Sequence, residues 1–469
     1  MGIVEALEPI YSLVPSIKSP ESELPLKTKL MWTAAVLLLF FALGNITLIG
    51  ISQVEGQSNP LEAYQEILAS QNGTLLTAGI GPIVLASIIL QLLVGGKILD
   101  VDLTDPKGKA RFQGLQKLFA ILMCLIEGVI YPWSGMIPSA GLMNVLFLGA
   151  QIALGSMILL YLDETVSKYG LGSGIGLFIA GGVSARFFWQ IFRIPGIGLN
   201  PQGGVIFTFL SSWFTGVPNF VLLLPILIAV IIFLTVTYAN SIHVNIPITM
   251  GRRGFGGRYP VNLLYVSVLP VILTVALFAN LRMWSAMVSG IPILGDVMRA
   301  LIWATGSPVP EWGISQGIYN LFLDILTQTA ASGLIVFADA NIQLRLLQGL
   351  IYLIVLCVGC VVFGKFWVKM GGQSPEDVAN QLESSGMYIP GFRRDSRIIE
   401  KILNRYIPPI VVIGSIFVGL LAGLGNMALG TVASGTGILL TVGIVYKLYE
   451  QIARDQLKGS PSLLKKLIG

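Results

Sequence analysis

The chain has 469 residues, of which 54% are hydrophobic and only 11% charged, against roughly 25% charged in an ordinary soluble domain. A soluble enzyme is excluded, and a single bundle of many membrane-spanning helices fits the length better than the three or so soluble domains it would otherwise suggest. The formal net charge of +5 is scattered among loops, the pattern of a polytopic membrane protein and not of a nucleic-acid binder.

The N-terminal stretch carries Glu5, Glu8, Glu21 and Glu23, unlike the basic opening of a cleaved signal peptide, so no removal of a targeting segment is expected. Ile3, Leu7, Ile10, Val14 and Ile17 recur at helical spacing. They predict a helix that lies along the membrane surface or packs, solvated, on the bundle. A span needs roughly 20 mostly apolar residues, and such runs lie near 30–50, 76–95, 118–134, 141–162, 173–192, 218–239, 261–281, 346–367, 407–425 and 431–449. That makes ten. With the N-terminus inside, the only Lys and Arg on the outer side or at adjoining helix ends are Arg186, Arg193, Arg282, Arg299 and Arg345, out of 29. The positive-inside rule then puts both termini in the cytoplasm.

Between the first two runs, Glu55 to Gly73 is polar. Residues Pro60 to Ser70 favour helix but are too short and too polar to cross. They predict a short re-entrant helix on the outer side or an ordinary loop helix. Residues 285 to 345 read as a long external excursion, although an added pair of spans would preserve the charge parity. Five runs precede a connection rich in glycine and proline (Pro195, Gly196, Gly198, Pro201, Gly203, Gly204) and five follow. Five is odd, so two halves of one fold would be inserted in opposite senses, with a cavity between them at mid-membrane.

Ion-coupled transport and intramembrane catalysis require ionisable groups at depth, and this chain nearly lacks them. Glu127 in the third run is the clearest. The single histidine, His243, falls in a cytoplasmic loop, and neither HExxH nor a histidine cluster occurs, which argues against a zinc protease. Gly359 to Lys365 (GCVVFGK) approaches a P-loop, but Phe366 stands where Ser or Thr would hold magnesium and no strand precedes it. Cys357 and Cys360 read as small hydrophobes in a helix interface. Gly170 to Gly176 (GLGSGIG) reads as close helix packing. The cytoplasmic loops pair glycine with arginine, at Gly251 to Arg258 and at Gly391 to Arg394. Such basic prongs suit an acidic partner, and ribosomal RNA is physically reasonable; plain topogenic charge is the alternative.

Several segments are familiar together: Gly79 to Leu93 (GIGPIVLASIILQLL), Tyr169 to Ile179 (YGLGSGIGLFI), Gly251 to Arg253 leading to Tyr259 and Pro260, and Gly391 to Arg394. In these segments, across essentially its whole length, the chain resembles the SecY family, the alpha subunit of the Sec protein-conducting translocon, in its archaeal branch. The resemblance implies an all-α polytopic membrane protein, with ten transmembrane helices in two inverted five-helix halves and a short external plug helix. The halves would be residues 1–200, with the plug at about 57–72, and 201–469, with cytoplasmic loops at about 240–260 and 369–406. It further implies a pore ring of Ile80, Val84, Ile175, Ile179, Ile272 and Leu440. Branched aliphatic side chains replace no part of an ion's hydration shell, so such a ring can close a pore by dewetting.

By the same matching, the plug comprises Asn59, Pro60, Leu61, Glu62, Ala63, Tyr64, Gln65, Glu66, Ile67 and Leu68. A lateral gate between spans two and three and spans seven and eight would include Glu127 and Asn280. Leu85 stands where relatives can have Thr, a departure from the family pattern, and Gln91 is a separate gate candidate on the second span. Arg252, Arg253, Arg393 and Arg394 match loops that enter the ribosome in relatives and meet a cytosolic ATPase motor in bacterial ones. The implied partners are two small membrane subunits, gamma (SecE-like) and beta, the ribosome or a motor, a nascent polypeptide with a signal sequence, and the lipid bilayer of the plasma membrane. The expected activity is a passive, gated channel that passes unfolded polypeptides and releases hydrophobic segments sideways. It is not an enzyme, and no cofactor or metal is expected. A secondary transporter with inverted repeats is the alternative, and it would need a midplane binding site with coupling charges.

Overall fold

Lipid offers backbone donors and acceptors no water, so long apolar runs satisfy them within helices. A computed structural model describes residues 8–9, 14–51, 65, 68–96, 98–99, 101, 106–195, 203–214, 220–250, 255–266, 268–288, 291, 293–306, 340–384, 387–388, 396–429 and 434–459. The first group of helices is α1 (Leu26–Gly44), α2 (Gly81–Gly95), α3 (Pro106–Trp133), α4 (Leu142–Tyr169) and α5 (Gly174–Phe192). After a short α6 (Val205–Phe214) come α7 (Leu224–Ser241), α8 (Leu269–Val288), the amphipathic α9 (Leu294–Thr305), α10 (Ala340–Met370), α11 (Pro375–Ser384), α12 (Ser396–Leu429) and α13 (Gly435–Gly459). Among the described residues, six helices are long and apolar enough to cross a membrane, while α2, α7 and α8 are shorter apolar helices.

Neighbour relations repeat along the chain. In the first group α1 packs on α4 and α5, α2 on α3 and α4, and α4 on both α3 and α5. In the second, α7 packs on α12 and α13, α8 on α10 and α12, and α12 on both α10 and α13. Substituting α7, α8, α10, α12 and α13 for α1 to α5 in order makes the two sets coincide. The groups meet along two seams, α2 against α8 and α10, and α13 against α1 and α5. The second seam carries an ion pair, Lys29 Nζ to Asp455 Oδ2 at 2.8 Å.

The sequence-based boundaries shift for local reasons. The second helix starts at Gly81 and not near 76, because Gly79 has φ of 56°, outside the helical region. The fourth, eighth and ninth runs extend beyond the expected limits, to Tyr169, Ala340–Met370 and Ser396–Leu429. The seventh begins eight residues late because the preceding segment forms a strand. Strands β1 (His243–Met250) and β2 (Phe255–Asn262) make an antiparallel hairpin, in register from His243 opposite Asn262 to Met250 opposite Phe255. A short β3 (Met387–Tyr388) joins the other edge of β1. The all-α expectation therefore holds for the membrane portion and is corrected outside it by this small sheet.

Sheet, α11, the end of α10 and the start of α12 share a second apolar core that includes Ile246, Val261, Val368, Leu382, Ile399 and Leu403. Pro408 and Pro409 lie inside α12, between the core residues Ile407 and Val411, where two missing donors interrupt the helical ladder. The N-terminal stripe Ile3 to Ile17 lies largely outside the described residues. From Val14 to Ile17 the backbone is not helical. It is tied instead to the membrane helices, the Ile17 N–H donating to Glu164 Oε1 at 3.1 Å and Lys117 Nζ to the Pro15 carbonyl at 2.5 Å. Of the predicted excursion at 285–345, α8 extends to Val288, α9 covers Leu294–Thr305 and α10 starts at Ala340; residues 307–339 lie outside the described set.

Close packing depends on glycine in α4. A Cβ on Gly155 would lie 1.9 Å from the Leu75 carbonyl oxygen. Gly155→Ala should therefore cost about 2 kcal/mol, as overpacking does, and lower the unfolding temperature in detergent. Gly182→Ala, whose Cβ would meet only the Phe40 ring edge at 4.0 Å, should change it little.

Candidate functional site

Five of the six matched ring residues are buried. Ile80, Ile179 and Leu440 are fully enclosed, Val84 and Ile272 nearly so, and Ile175 is partly buried. Five of them belong to the large apolar core and Ile175 packs against it; that core also takes in residues of α1, α3, α4, α7, α10 and α12, and within it α2 packs on α8 and α5 on α13. Ile80 is the N-cap of α2 and Val84 follows one turn later, while Ile175 and Ile179 occupy the first turns of α5, whose N-cap Ser173 accepts from the Gly176 N–H at 3.2 Å. A span of i, i+4 keeps each pair on one face of its helix. The Ile175 N–H also donates to Asp163 Oδ1 at 2.8 Å, so α4 fixes where α5 begins.

Directly before α2 the chain forms a hook. The Ser70 N–H donates to the Gln65 carbonyl at 2.9 Å and the Ile80 N–H to the Leu68 carbonyl at 2.8 Å. Leu68 is buried, and its methyls reach within 4 Å of the place a Cβ would take on Gly81. Ala69 has φ of 48°, a conformation costing a non-glycine residue roughly 1–3 kcal/mol. Residues 70–80 are held more firmly. Leu48 and Leu75 N–H groups bond Gly73 and Ile46 carbonyls at 2.9 and 3.0 Å, and Ser156 Oγ donates to the Gly79 carbonyl at 3.1 Å. Of the matched plug residues, Gln65 and Leu68 are in this hook. Asn59 to Tyr64, Glu66 and Ile67 lie outside the described residues.

The four gate candidates are all buried, Leu85 and Glu127 at 1% exposure and Gln91 and Asn280 at 3–4%. Leu85 and Gln91 are on α2, Glu127 on α3 and Asn280 on α8, and among the described residues no hydrogen bond joins them. Asn280 Nδ2 donates within its own helix to the Ala276 carbonyl at 2.9 Å. Glu127 Oε2 stands 3.4 Å from the Cβ position of Gly81, and Glu127 Oε1 and Gln91 Oε1 have no partner. Sequence reasoning missed the polar link that does exist here, Gln116 Nε2 of α3 to Ser87 Oγ of α2 at 2.6 Å. It also missed the apolar knob of the seam: a Cβ on Gly95 would lie 2.4 Å from the Phe366 ring.

Arg252, Arg253, Arg393 and Arg394 lie outside the described residues. The structure does join the segments that carry them, since Met250, at the hairpin tip, is opposite Met387 of β3. His243 is the first residue of β1, with Nδ1 2.8 Å from the Ser241 carbonyl. Behind the hairpin Tyr265 donates to the Gln373 carbonyl at 2.9 Å, and burial pushes its hydroxyl and that of Tyr259 above the usual tyrosine range. Other motifs resolve as packing. Gly359 to Lys365 is mid-helix in α10. Cys357 and Cys360 press on Gly419 of α12 with sulfurs 3.2 and 3.3 Å from its Cβ position. Gly174 abuts Asp163 Cα at 2.5 Å by the same measure. Among the described residues no group of three or more His, Cys, Asp or Glu is placed to hold a metal.

A bonded hook thus sits against the buried aliphatic core at the start of α2. Residues 74–449 match the family model SecY, and residues 38–73 match the plug domain of Sec61p. The chain belongs to the SecY family. The protein translocase subunit SecY of Methanocaldococcus jannaschii is 41% identical over 99% of this chain and 100% of its own length. A solved structure described as a protein conducting channel superposes with a TM-score of 0.78 at 40% identity, covering 96% of this chain and 97% of that one. Sec61 in a canine ribosome-channel complex from the endoplasmic reticulum superposes at 0.75, also at 40% identity, with 96% and 97% covered. The plug-domain match thus takes in the hook up to Gly73, and the SecY match contains the rest of the hook and every described residue matched to ring or gate.

A Cβ on Gly79 would lie 2.2 Å from the Leu68 carbonyl oxygen, in a backbone region costing non-glycine residues about 1–3 kcal/mol. Gly79→Ala should unseat the hook. With the native cysteines replaced and Leu68→Cys as reporter, maleimide labelling should accelerate at least tenfold, by the measure of about 1.4 kcal/mol per decade.

Proposed function

We infer that this chain is the pore-forming subunit of a Sec translocon, a passive gated channel that moves unfolded polypeptides across a membrane and releases hydrophobic segments into lipid. The observation that supports this reading is the burial of Ile80, Val84, Ile179, Ile272 and Leu440 in the apolar core, on helices that meet as α2 with α8 and α5 with α13, with Leu68 of the hook packed at the start of α2. An aliphatic collar binds no solute, so it bars ions by dewetting yet gives way to any side chain that is pushed through.

The ten helices α1 to α5, α7, α8, α10, α12 and α13 are read as ten spans, in inverted halves 1–200 and 201–469. The coincident neighbour sets support this, as does a shared device at the last helix of each half. Asp163 of α4 bonds the start of α5, and Asn426 of α12 accepts from the Thr436 N–H of α13 at 2.9 Å. Both termini are placed in the cytoplasm by the arginine and lysine bias, in the plasma membrane. The lateral gate is read as the opening between α2 and α3 on one side and α8 and α10 on the other, with Leu85, Gln91, Glu127 and Asn280 as its residues, and Asn59 to Leu68 as the plug. Arg252, Arg253, Arg393 and Arg394 are read as the basic contacts for the ribosome, including its RNA, or for a cytosolic motor. Gamma and beta subunits complete the complex, and the nascent chain with its signal sequence is the client. The relative seen with a ribosome supports the docking role.

Replacing Ile80, Val84, Ile175 and Ile179 by Gly should produce idle ion conductance in planar bilayers; a membrane as tight as with the parent protein would remove the ring assignment. Arg252→Glu with Arg253→Glu should weaken ribosome binding about tenfold and flatten its salt dependence. Unchanged affinity at moderate salt would reject the docking role.

A further inference from the structure

Arg186 is one of the few cations on the outer side of this chain, and it has no part in the matched ring, gate or docking loops. Its position on α5 is informative. It follows Ile179 by seven residues, two helical turns, so it projects from the same face about 10 Å further outward. That is the face assigned to the pore. Arg186 Nη2 donates to Gln65 Oε1 of the hook at 3.0 Å. Gln65 in turn holds the Ser70 N–H through its carbonyl, and Leu68, within the same turn, holds the Ile80 N–H. The hook hangs from the start of α2, which bears Ile80 and Val84, while Arg186 reaches it from α5, which bears Ile175 and Ile179.

We propose that Arg186 is a latch for the plug: it ties the hook to α5 across the pore and so holds the idle channel shut. The proposal rests on the channel reading above. A guanidinium bond to a neutral amide is charge-assisted and directional. The hook's connection is suited to release at Ala69, which has positive φ, because beyond it the chain is pinned, Gly73 and Leu75 to Leu48 and Ile46 just after α1 and Gly79 to Ser156 of α4.

The test uses the channel complex with its small subunits in planar bilayers. Arg186→Gln should raise the idle open probability about tenfold, the scale of one charge-assisted hydrogen bond, with client translocation retained. Gln65→Ala should do the same from the other partner and serves if Arg186→Gln does not assemble. Gln65→Glu should lower idle opening below the parent and slow translocation. Arg186→Glu combined with Gln65→Arg should restore a tight channel, which a merely structural arginine would not allow. Idle conductance unchanged in Arg186→Gln or Gln65→Ala, while the four-glycine ring variant leaks in the same preparation, overturns the latch and leaves the channel reading intact. A ring variant that does not leak places the failure in the channel reading itself.

Discussion

Backbone that leaves the helical ladder at membrane depth must find every bond elsewhere, and residues 65–80 are where this chain meets that demand. Leu68, Gly73 and Gly79 carbonyls and the Leu48, Ser70, Leu75 and Ile80 N–H groups are each bonded across or outside the segment. The partners come from the end of α1, from α4 and from the start of α2. Two glycines make the arrangement sterically possible, Gly155 where α4 presses on Leu75 and Gly79 where the chain turns under Leu68. Once this segment is fixed, so is the height at which α2 begins, and with it the level of Ile80 and Val84. The positions of Ile80 and Val84 are therefore set by polar backbone bonding although their side chains pack in the apolar core.

The two seams between the helix groups differ in chemistry. Where α13 meets α1, Lys29 and Asp455 pair with both side chains about one-fifth exposed, a contact of modest strength that fixes register more than it adds stability. Where α2 meets α8 and α10, the gate candidates share no hydrogen bond, and the tightest approach is Phe366 against Gly95. Shape contacts of this kind are lost without leaving an unpaired charge. Close to them, Glu127 Oε1 and Gln91 Oε1 are buried without a partner.

Much of this was legible in the sequence, because hydrophobic run length and the positive-inside bias act on whole helices and do not depend on neighbours. The ten runs each contain a helix, and the glycines at Gly170 to Gly176 and the cysteines of α10 have the packing roles their spacing implied. The ring was legible only through resemblance, since Ile80 or Leu440 looks like any core aliphatic until its helix is placed. The hairpin was within reach: Val244, Ile246, Ile248 and Met250 alternate at the strand period. Pro247 masked it, and the structure shows why a proline is tolerated there, since β3 pairs with β1 only at Thr249 and Met250. Ser156, Gln116 and Arg186 were out of reach, because each acts on a residue 29 or more positions away.

In α10, Phe366 fills the space left by Gly95, and its immediate successors Trp367 and Val368 belong to the core under the hairpin. One unbroken helical turn therefore serves two packing surfaces, α2 on one side and the small sheet on the other. With no joint between them to absorb a misfit, the seating of the strands and the fit of Phe366 against Gly95 are set together.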